Sequence, residues 1–276
     1  MSSAIKLVFF ITLIVSTIAL PSPSADIGTR VIGGVGARRT EFPHICSIQS
    51  FLPIIGATHI GGASIVTNRY VVTAASLIDP PPLPIIGRRE VVCGRLNLAL
   101  PNEVTEQRVQ FGTIFLHPDY LRTSLSPNDI AMIQLVSQLF FNDWVQPINL
   151  PTQSAVAPSG IHSLIGWAGT DESWLGQNLG TLQLSRVAIL PQATCAALIT
   201  TSNNVTNTHF CTGPLTGGLS PCNEDLGSSL LSRNATNAHF LAGIVSLPQG
   251  CGASGRPGSY TMVSMFANWI NQIILI

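Results

Sequence analysis

The sequence predicts an all-β fold that ends in a single helix. Short runs of β-branched and aliphatic residues recur between glycine, proline, asparagine and serine. Runs this short, with frequent turn residues and 19 prolines, are typical of a β-sandwich or barrel rather than of alternating strands and helices. The C-terminal segment differs, because its apolar residues recur at the spacing of one helix face. Those residues are Phe266, Trp269, Ile270, Ile273 and Ile274.

The predicted strands follow one another without a repeat, a low-complexity tract or a long linker. Their number and close spacing, over about 245 residues, are compatible with one domain or with two packed barrels. In chain order the clearest runs are 64–67, 70–73, 89–93, 130–136, 163–167, 183–189 and 243–247.

Charge is sparse and balanced in this chain. Thirteen basic and 13 acidic residues give a formal net charge of zero, and charged residues make up 9% against 46% apolar residues. A nucleic-acid-binding surface needs a surplus of Lys and Arg, so we expect no nucleic-acid partner. No basic cluster is evident in the sequence, which disfavours a carbohydrate or heparin binder. The apolar share predicts a chain that buries a large core.

The N-terminal segment has the layout of a secretory signal peptide. An apolar run at 7–20 follows Lys6 and leads into small residues and prolines. The run is shorter than the ~20 residues of a spanning helix, which disfavours the alternative of an uncleaved anchor. We therefore assign 1–25 to a signal peptide, and expect a secreted, extracellular protein with no membrane segment after its removal. Candidate cleavage sites follow Ala19, Ser24 and Ala25.

Six cysteines and two sequons fit an extracellular protein. An even number of cysteines in an oxidising compartment predicts three disulfides. No CxxC pair or histidine pair at ligand spacing accompanies them, so we expect no metal and no cofactor. Asn204 and Asn234 begin Asn-X-Thr sequons and are candidate glycosylation sites. The cysteines are Cys46, Cys93, Cys195, Cys211, Cys222 and Cys251.

A series of short motifs runs from residue 30 to the C-terminal region. They are RVIGG (30–34), GGASIV (61–66), VTAA (72–75), NDIA (128–131), QPINLP (146–151), GW (166–167), CNED (222–225), GIVS (243–246) and RPGSYT (256–261). In this order they resemble the trypsin/chymotrypsin family of serine proteases. The resemblance implies two packed antiparallel six-stranded β-barrels with a cleft between them, and a C-terminal α-helix on the outside.

The resemblance also implies the division of the chain. A short propeptide would occupy 26–30, and a chymotrypsin-like domain would occupy 31–276. Within that domain the first barrel is expected at about 31–145, the second at about 146–262 and the helix at about 264–276.

The family's catalytic triad is changed at two of its three positions. The histidine that follows Thr-Ala-Ala in the family is Ser76 here, and the nucleophilic serine is Leu226. Only Asp129 keeps its residue type. An aspartate with a pKa of about 4 is a poor base for a hydroxyl near neutral pH. The resemblance therefore implies a homologue without an intact catalytic residue set.

The positions for the oxyanion and the substrate are changed as well. Glu224 replaces the glycine whose N–H helps to bind the oxyanion, and so adds a Cβ and a negative charge. Ser220 stands at the base of the specificity pocket, where trypsins have aspartate, and Gly258 belongs to the same pocket. Leu247 and Pro248 replace Trp-Gly on the strand that pairs with substrate, and proline has no N–H to donate.

The activation machinery has its residues in place. Cleavage after Arg30 would create an α-amino group at Val31, which in the family pairs with the aspartate before the nucleophile, here Asp225. Two interpretations stay open: a conformational switch triggered by a trypsin-like protease, or inherited architecture in which Asp225 is only a loop residue.

Other side chains near the cleft offer no obvious substitute for the triad. His59 is the histidine nearest to the cleft by family position, and we expect an ordinary interior or surface imidazole. Ser228 and Ser229 follow the lost nucleophile and are expected to be turn residues.

The resemblance assigns the disulfides in part. It implies the family bridges Cys195–Cys211 and Cys222–Cys251. Cys46 and Cys93 remain, on strands that neighbour each other in the first barrel, and we predict that they pair, with two buried free thiols as the alternative. The family bridge beside the catalytic histidine is absent, and Ile60 and Leu77 are expected to fill its space.

The sequence therefore predicts a secreted, non-catalytic serine protease homologue that acts through protein contacts. By family analogy its partners are other extracellular proteins, such as proteases or their substrates, and its role is that of a regulator, cofactor or decoy in an extracellular protease cascade. The alternative is a serine-type endopeptidase with residual or unorthodox hydrolase activity. The oligomeric state is left open.

Overall fold

A computed structural model describes most of the chain after residue 33 as two β-barrels with three short helices. The described residues are 34–52, 56–79, 88–101, 103–122, 127–167, 180–199, 207–247 and 249–276. The strands are β1 (Val35–Gly36), β2 (Ile45–Leu52), β3 (Gly56–Ile65), β4 (Tyr70–Thr73), β5 (Arg89–Cys93), β6 (Gln107–Leu116), β7 (Ala131–Leu135), β8 (Ile161–Gly166), β9 (Gln183–Ile189), β10 (His209–Gly213), β11 (Ser229–Arg233), β12 (His239–Leu247) and β13 (Gly258–Met262). The helices are α1 (Ala75–Ile78), α2 (Gln192–Leu198) and α3 (Ala267–Ile274).

The first barrel closes from six antiparallel strands in the order β2-β3-β4-β7-β6-β5. Its interior is filled by the fully buried aliphatic side chains that alternate along these strands, such as Ile48, Val91 and Ile133. A β-bulge interrupts the β2–β3 ladder, because Ile48 pairs with Gly61 while the next residue, Gln49, pairs with His59.

The second barrel also closes from six antiparallel strands, β8 to β13. They follow the order β9-β10-β13-β12-β11-β8, and pairing of β8 with β9 closes the ring. The short β1 adds to the outer edge of β9. Phe210 and Tyr260 stack inside this barrel with ring centroids 5.5 Å apart, and both are fully buried. The two closed barrels confirm the predicted all-β, chymotrypsin-like fold.

The C-terminal helix packs on the first barrel's β6 as well as on the second barrel. Ile270 and Ile273 on α3 are buried, and the His117 ring that follows β6 lies 5.0 Å from the Phe266 ring. The helix begins at Ala267, slightly later than the expected residue 264, because residues 263–265 form a single 3-10 turn before it. Among the described residues, none of the helices has the length and apolar character needed to span a bilayer.

The structure forms the three disulfides that the sequence predicts. Cys46 on β2 lies directly opposite Cys93 on β5 and bonds to it, so the alternative of two free thiols is wrong. The other two bridges are Cys195–Cys211 and Cys222–Cys251.

Ile60 and Leu77 fill apolar space as expected, because both are buried in the same core cluster. Leu77 also packs closely on Gly61, where an added Cβ would lie 2.5 Å from Leu77 Cδ2. The bulge in β3 leaves Ile60 as the extra residue beside Gly61. The leucine side chain therefore occupies space that a residue larger than glycine would contest.

Candidate functional site

Asp129 lies fully buried in the cleft between the barrels, with three hydrogen bonds to its carboxylate. Ser76, at the N-terminal end of α1, donates from its backbone N–H to Oδ1 and from its hydroxyl to Oδ2, both at 2.7 Å. Ser246 on β12 donates from its hydroxyl to Oδ2 at 2.5 Å. Ser76 therefore occupies the place of the family's histidine as a donor, but it has no imidazole to take up a proton.

Burial dominates the electrostatics of this carboxylate. It raises the pKa of Asp129 to about 6, although the hydrogen bonds from Ser246 and Ser76 oppose the shift. The charged form is thus less stable in the folded protein than in water, but with a pKa of about 6 the carboxylate is still mostly charged at pH 7.

His209 also belongs to this site, through a contact with Ser246 that no sequence pattern indicated. His209 opens β10, and its Nε2 lies 3.3 Å from the Ser246 hydroxyl oxygen. Because Ser246 gives its single proton to Asp129, its oxygen accepts from the His209 N–H. Burial lowers the pKa of His209 to about 4, so the ring is neutral at physiological pH. Its contact with the cleft depends on the pairing of β10, β12 and β13, which local sequence does not reveal.

The position of the family's nucleophile holds a buried hydrocarbon. Leu226 is 6% exposed and belongs to the same apolar cluster as Leu77. Its backbone oxygen accepts the N–H of Gly62 at 2.8 Å, and the next residue, Gly227, has a φ of +81°. A Cβ at Gly227 would lie 2.4 Å from the Gly62 oxygen, so the sharp turn requires glycine.

Glu224 lies in a 3-10 turn at 223–225 that precedes Leu226. His59 Nε2 donates to the Glu224 carbonyl oxygen at 3.0 Å, and the Ser47 hydroxyl donates to His59 Nδ1 at 2.7 Å. Burial lowers the pKa of His59 to about 4. His59 is therefore an interior imidazole that holds this turn in place, and both its ring nitrogens are engaged.

The His59 contact extends as a line of hydrogen bonds to the outside of the first barrel. Gln49 donates from Nε2 to the Ser47 hydroxyl at 3.3 Å, and Arg108 donates to Gln49 Oε1 at 3.0 Å. A series of four hydrogen bonds thus connects five groups, from the Arg108 guanidinium to the Glu224 carbonyl.

Asp225 lies in the same 3-10 turn, and its carboxylate contacts the backbone of Cys222 and Gly166. Its Oδ2 accepts the N–H of Cys222 at 3.0 Å, and its Oδ1 packs so closely on Gly166 that a Cβ at residue 166 would collide with it. The activation residues Arg30 and Val31 lie outside the described residues, so the predicted pairing with Asp225 stays a prediction.

The residues expected to form the specificity pocket bond and pack with neighbouring residues. The Ser220 hydroxyl accepts the N–H of Gly252 at 2.8 Å and donates to the Gly250 oxygen at 3.1 Å. The Pro221 ring lies against Gly258, where a Cβ would be 2.4 Å from Pro221 Cδ. The base of the pocket therefore presents a serine that is 4% exposed and already bonded, not a carboxylate for a basic side chain.

The remaining predicted residues lie around this site or outside the described residues. Leu247, at the end of β12, packs against the Cys195–Cys211 bridge, whereas Pro248 and Asn204 are outside the described residues. Asn234 lies exposed in the turn between β11 and β12, and its Oδ1 accepts the N–H groups of Thr236 and Ala238.

The expectation of turn residues holds for Ser228 and is wrong for Ser229. Ser228 closes the turn, because its backbone N–H donates to the Asp225 carbonyl oxygen at 2.7 Å. Ser229 begins β11 instead, and both serines are fully buried. The Ser229 hydroxyl lies 2.7 Å from that of Ser64 on β3, which joins the two barrels.

The sequence of this chain is similar to those of known proteins. The profile of the trypsin family matches residues 31–270. Trypsin-1 of Astacus astacus is 33% identical over 241 residues, which are 87% of this chain and 98% of that protein. Trypsin V-A of Rattus norvegicus is 30% identical over 270 residues, which are 98% of each chain.

Proposed function

Because the chain belongs to the trypsin family of serine proteases, we propose its function from the site that it carries: a non-catalytic homologue that acts by binding other proteins. The proposed partners are extracellular proteins, either proteases or their substrates. The proposed role is regulator, cofactor or decoy in an extracellular protease cascade.

One observation carries this proposal, namely the buried leucine at the position of the nucleophile. Leu226 has no atom that can attack a carbonyl carbon, and Ser76 cannot relay a proton as an imidazole does. Loss of the serine or the histidine alone lowers kcat by on the order of 10⁶ in a protease of this type. Both are replaced here, so the family's mechanism has lost its nucleophile and its general base.

The pocket supports the same conclusion from the side of the substrate. Its base is a serine that already bonds Gly250 and Gly252, and the Pro221 ring lies against Gly258. An arginine or lysine side chain of a substrate would find no carboxylate there, and the Ser220 hydroxyl already uses its proton in the bond to Gly250. Binding of a cleavable segment in the family's manner is therefore disfavoured.

Secretion and glycosylation are part of the proposal. Three disulfides are typical of an extracellular protein, and residues 1–25 have the layout of a signal peptide. Mass spectrometry of the protein from the medium of a secreting cell should show an N-terminus between residues 20 and 31, and a glycan on Asn234. A chain that stays in the cell with residue 1 intact would contradict this.

A second function has one observation in its favour. The Ser76 hydroxyl lies 2.7 Å from Asp129, and burial raises the pKa of that carboxyl to about 6, so a hydroxyl sits beside a base that titrates near neutral pH. A hydrolase that uses Ser76 as its nucleophile is therefore the competing hypothesis. It lacks an identified group to stabilise the oxyanion.

The decisive experiment treats the chain cleaved after Arg30 with a fluorophosphonate probe and a mixed fluorogenic peptide library. We expect no covalent labelling and no turnover. The Ser76→Ala variant is the matched control, because labelling or turnover that this substitution abolishes would establish the competing hypothesis. The double variant Ser76→His/Leu226→Ser, which restores the two triad residues, tests whether the assay detects activity on this scaffold.

A further inference from the structure

Four ion pairs on one side of the first barrel share an asymmetry. In each of the four the carboxylate is almost completely buried, whereas the guanidinium group reaches solvent. A fifth pair, Arg95–Glu106, differs because both of its side chains are buried. The side-chain exposures are 47% and 5% for Arg39–Glu103, 54% and 6% for Arg88–Glu90, 27% and 6% for Arg108–Glu90, and 27% and 7% for Arg108–Glu106. The charge that this side shows to solvent is therefore positive, although acids and bases nearly balance in number.

These pairs form one continuous surface across β5 and β6. Glu90 lies between Arg88 and Arg108, and Glu106 lies between Arg108 and Arg95, a second arginine that is itself buried. The turn at 103–106 connects this network to the Arg39–Glu103 pair, since Arg39 also donates to Thr105. The arginines are far apart in sequence, and only the sheet register brings them together.

An exposed aromatic ring lies within this surface. Phe51 at the end of β2 is 40% exposed, and the Arg88 guanidinium carbon lies 5.6 Å from its ring centroid. The segments that adjoin Phe51 and Arg88 in the sequence, 53–55 and 80–87, contain no charged residue. Neither segment can therefore supply a carboxylate that would neutralise Arg88.

We propose that Arg39, Arg88, Arg108 and Phe51, which we call the arginine face, bind an acidic segment of a partner protein that also carries an apolar side chain. This deepens the proposed function, on which it rests, by giving the chemistry of the partner. Each guanidinium has five N–H donors, and its contacts within the protein use one of them in Arg88, two in Arg39 and three in Arg108, so donors remain for a partner's carboxylate.

The buried glutamates also prepare the face for binding. They fix the orientation of the arginine side chains before a partner arrives, which lowers the conformational entropy lost on association. The exposed Phe51 ring distinguishes the expected partner from a sulfated polysaccharide, which would supply anionic groups but no apolar side chain to cover the ring.

The test measures binding of a fluorescein-labelled 12-residue peptide of alternating glutamate and leucine to the full chain. We expect binding that weakens steeply with added salt, because exposed charges are screened. The Arg39→Gln/Arg88→Gln variant should bind at least about tenfold more weakly, and Phe51→Ala should bind several-fold more weakly. The control Arg69→Gln/Arg186→Gln removes the same charge from exposed arginines that form no ion pair in the described part of the chain, and it should bind as the parent does.

Three results would overturn the inference: equal loss in the control variant, equal affinity for the peptide with glutamine in place of glutamate, or binding of a heparin oligosaccharide without binding of the peptide. Circular dichroism of each variant confirms that it is folded. Mass spectrometry of the peptide after each titration separates this inference from the proposed function. A peptide bound but cleaved contradicts the non-catalytic function alone, whereas a peptide neither bound nor cleaved contradicts the arginine face alone.

Discussion

The region around Asp129 holds a buried carboxylate with three hydrogen bonds to it, whereas the pocket region around Ser220 and Gly258 holds uncharged groups that bond and pack with their neighbours. At Asp129, loss of the family's histidine left a charge that cannot be buried without donors, and Ser76 supplies them. At Ser220 and Gly258 no charge has to be satisfied, and the groups there bond and pack with their neighbours. The difference teaches that a buried charge constrains the residues around it even where the other triad residues are replaced.

The largest expected effect concerns the charge of Asp129. Its pKa is about 6 in the folded protein against 3.8 as the reference value, so the folded state binds the proton more tightly. The stability contributed by this group is present below about pH 4 and is lost as the pH rises through 6. Asp129→Asn should therefore remove about 3 kcal/mol from the difference in free energy of unfolding between pH 3 and pH 8, a window that spans both pKa values.

Urea unfolding of both proteins at the two pH values measures this difference. His59 and His209 have lowered pKa values of about 4, so their stability contribution is lost as the pH falls through 4, but it cancels between parent and variant. An unchanged pH dependence in the variant would show that Asp129 titrates normally.

The pocket region should respond strongly to added volume. Gly258→Ala places a Cβ 2.4 Å from Pro221 Cδ, and we expect a loss of about 2 to 3 kcal/mol in the free energy of unfolding. Gly36→Ala is the matched control, because the nearest atom to its Cβ is 4.0 Å away. A loss of the same size in both variants would mean that glycine substitution, not closure of the pocket, is responsible.

Removal of the deeper donor to Asp129 should have the next largest effect. Ser246→Ala leaves both the carboxylate and the His209 N–H without this hydroxyl, and we expect a loss of about 2 kcal/mol in thermal or urea unfolding at pH 7. Ser76→Ala should cost less, because the backbone N–H of residue 76 remains and the site is partly open to water. The reverse ranking of the two serines would contradict this account of the site.

The smallest effect is expected at the base of the pocket. Ser220→Ala removes two hydrogen bonds to a loop whose Gly250 and Gly252 are half-buried, so water can replace the hydroxyl. We expect a loss of about 1 kcal/mol in urea unfolding. A loss as large as that of Ser246→Ala would remove the distinction between the two regions.

Much of the fold was accessible from sequence, because its determinants are local or carried by family motifs. The short apolar runs predicted the strands, and the order of the motifs implied two barrels and the pairing of Cys195 with Cys211 and of Cys222 with Cys251. The bulge in β3, next to the close contact of Gly61 with Leu77, was not predicted, since no local pattern marks a one-residue change of register.

The sequence was sufficient to predict which catalytic residues the site lacks, but not which contacts the replacing residues make. The absence of a nucleophile at Leu226 is visible in a single residue. The contacts of His209 with Ser246 and of His59 with the Glu224 carbonyl join residues that are 37 and 165 positions apart, and no local pattern encodes them. The arginine face was not predicted for the same reason, since the pairing of β5 with β6 is what brings its charges together.

The line of hydrogen bonds from Arg108 to Glu224 links the outside of the first barrel to the floor of the cleft. The turn at 223–225 and the guanidinium of Arg108 are thus connected through three buried side chains, Gln49, Ser47 and His59. By thermodynamic linkage, if displacement of the turn weakens the binding of an anion at Arg108, an anion bound there opposes that displacement to the same degree.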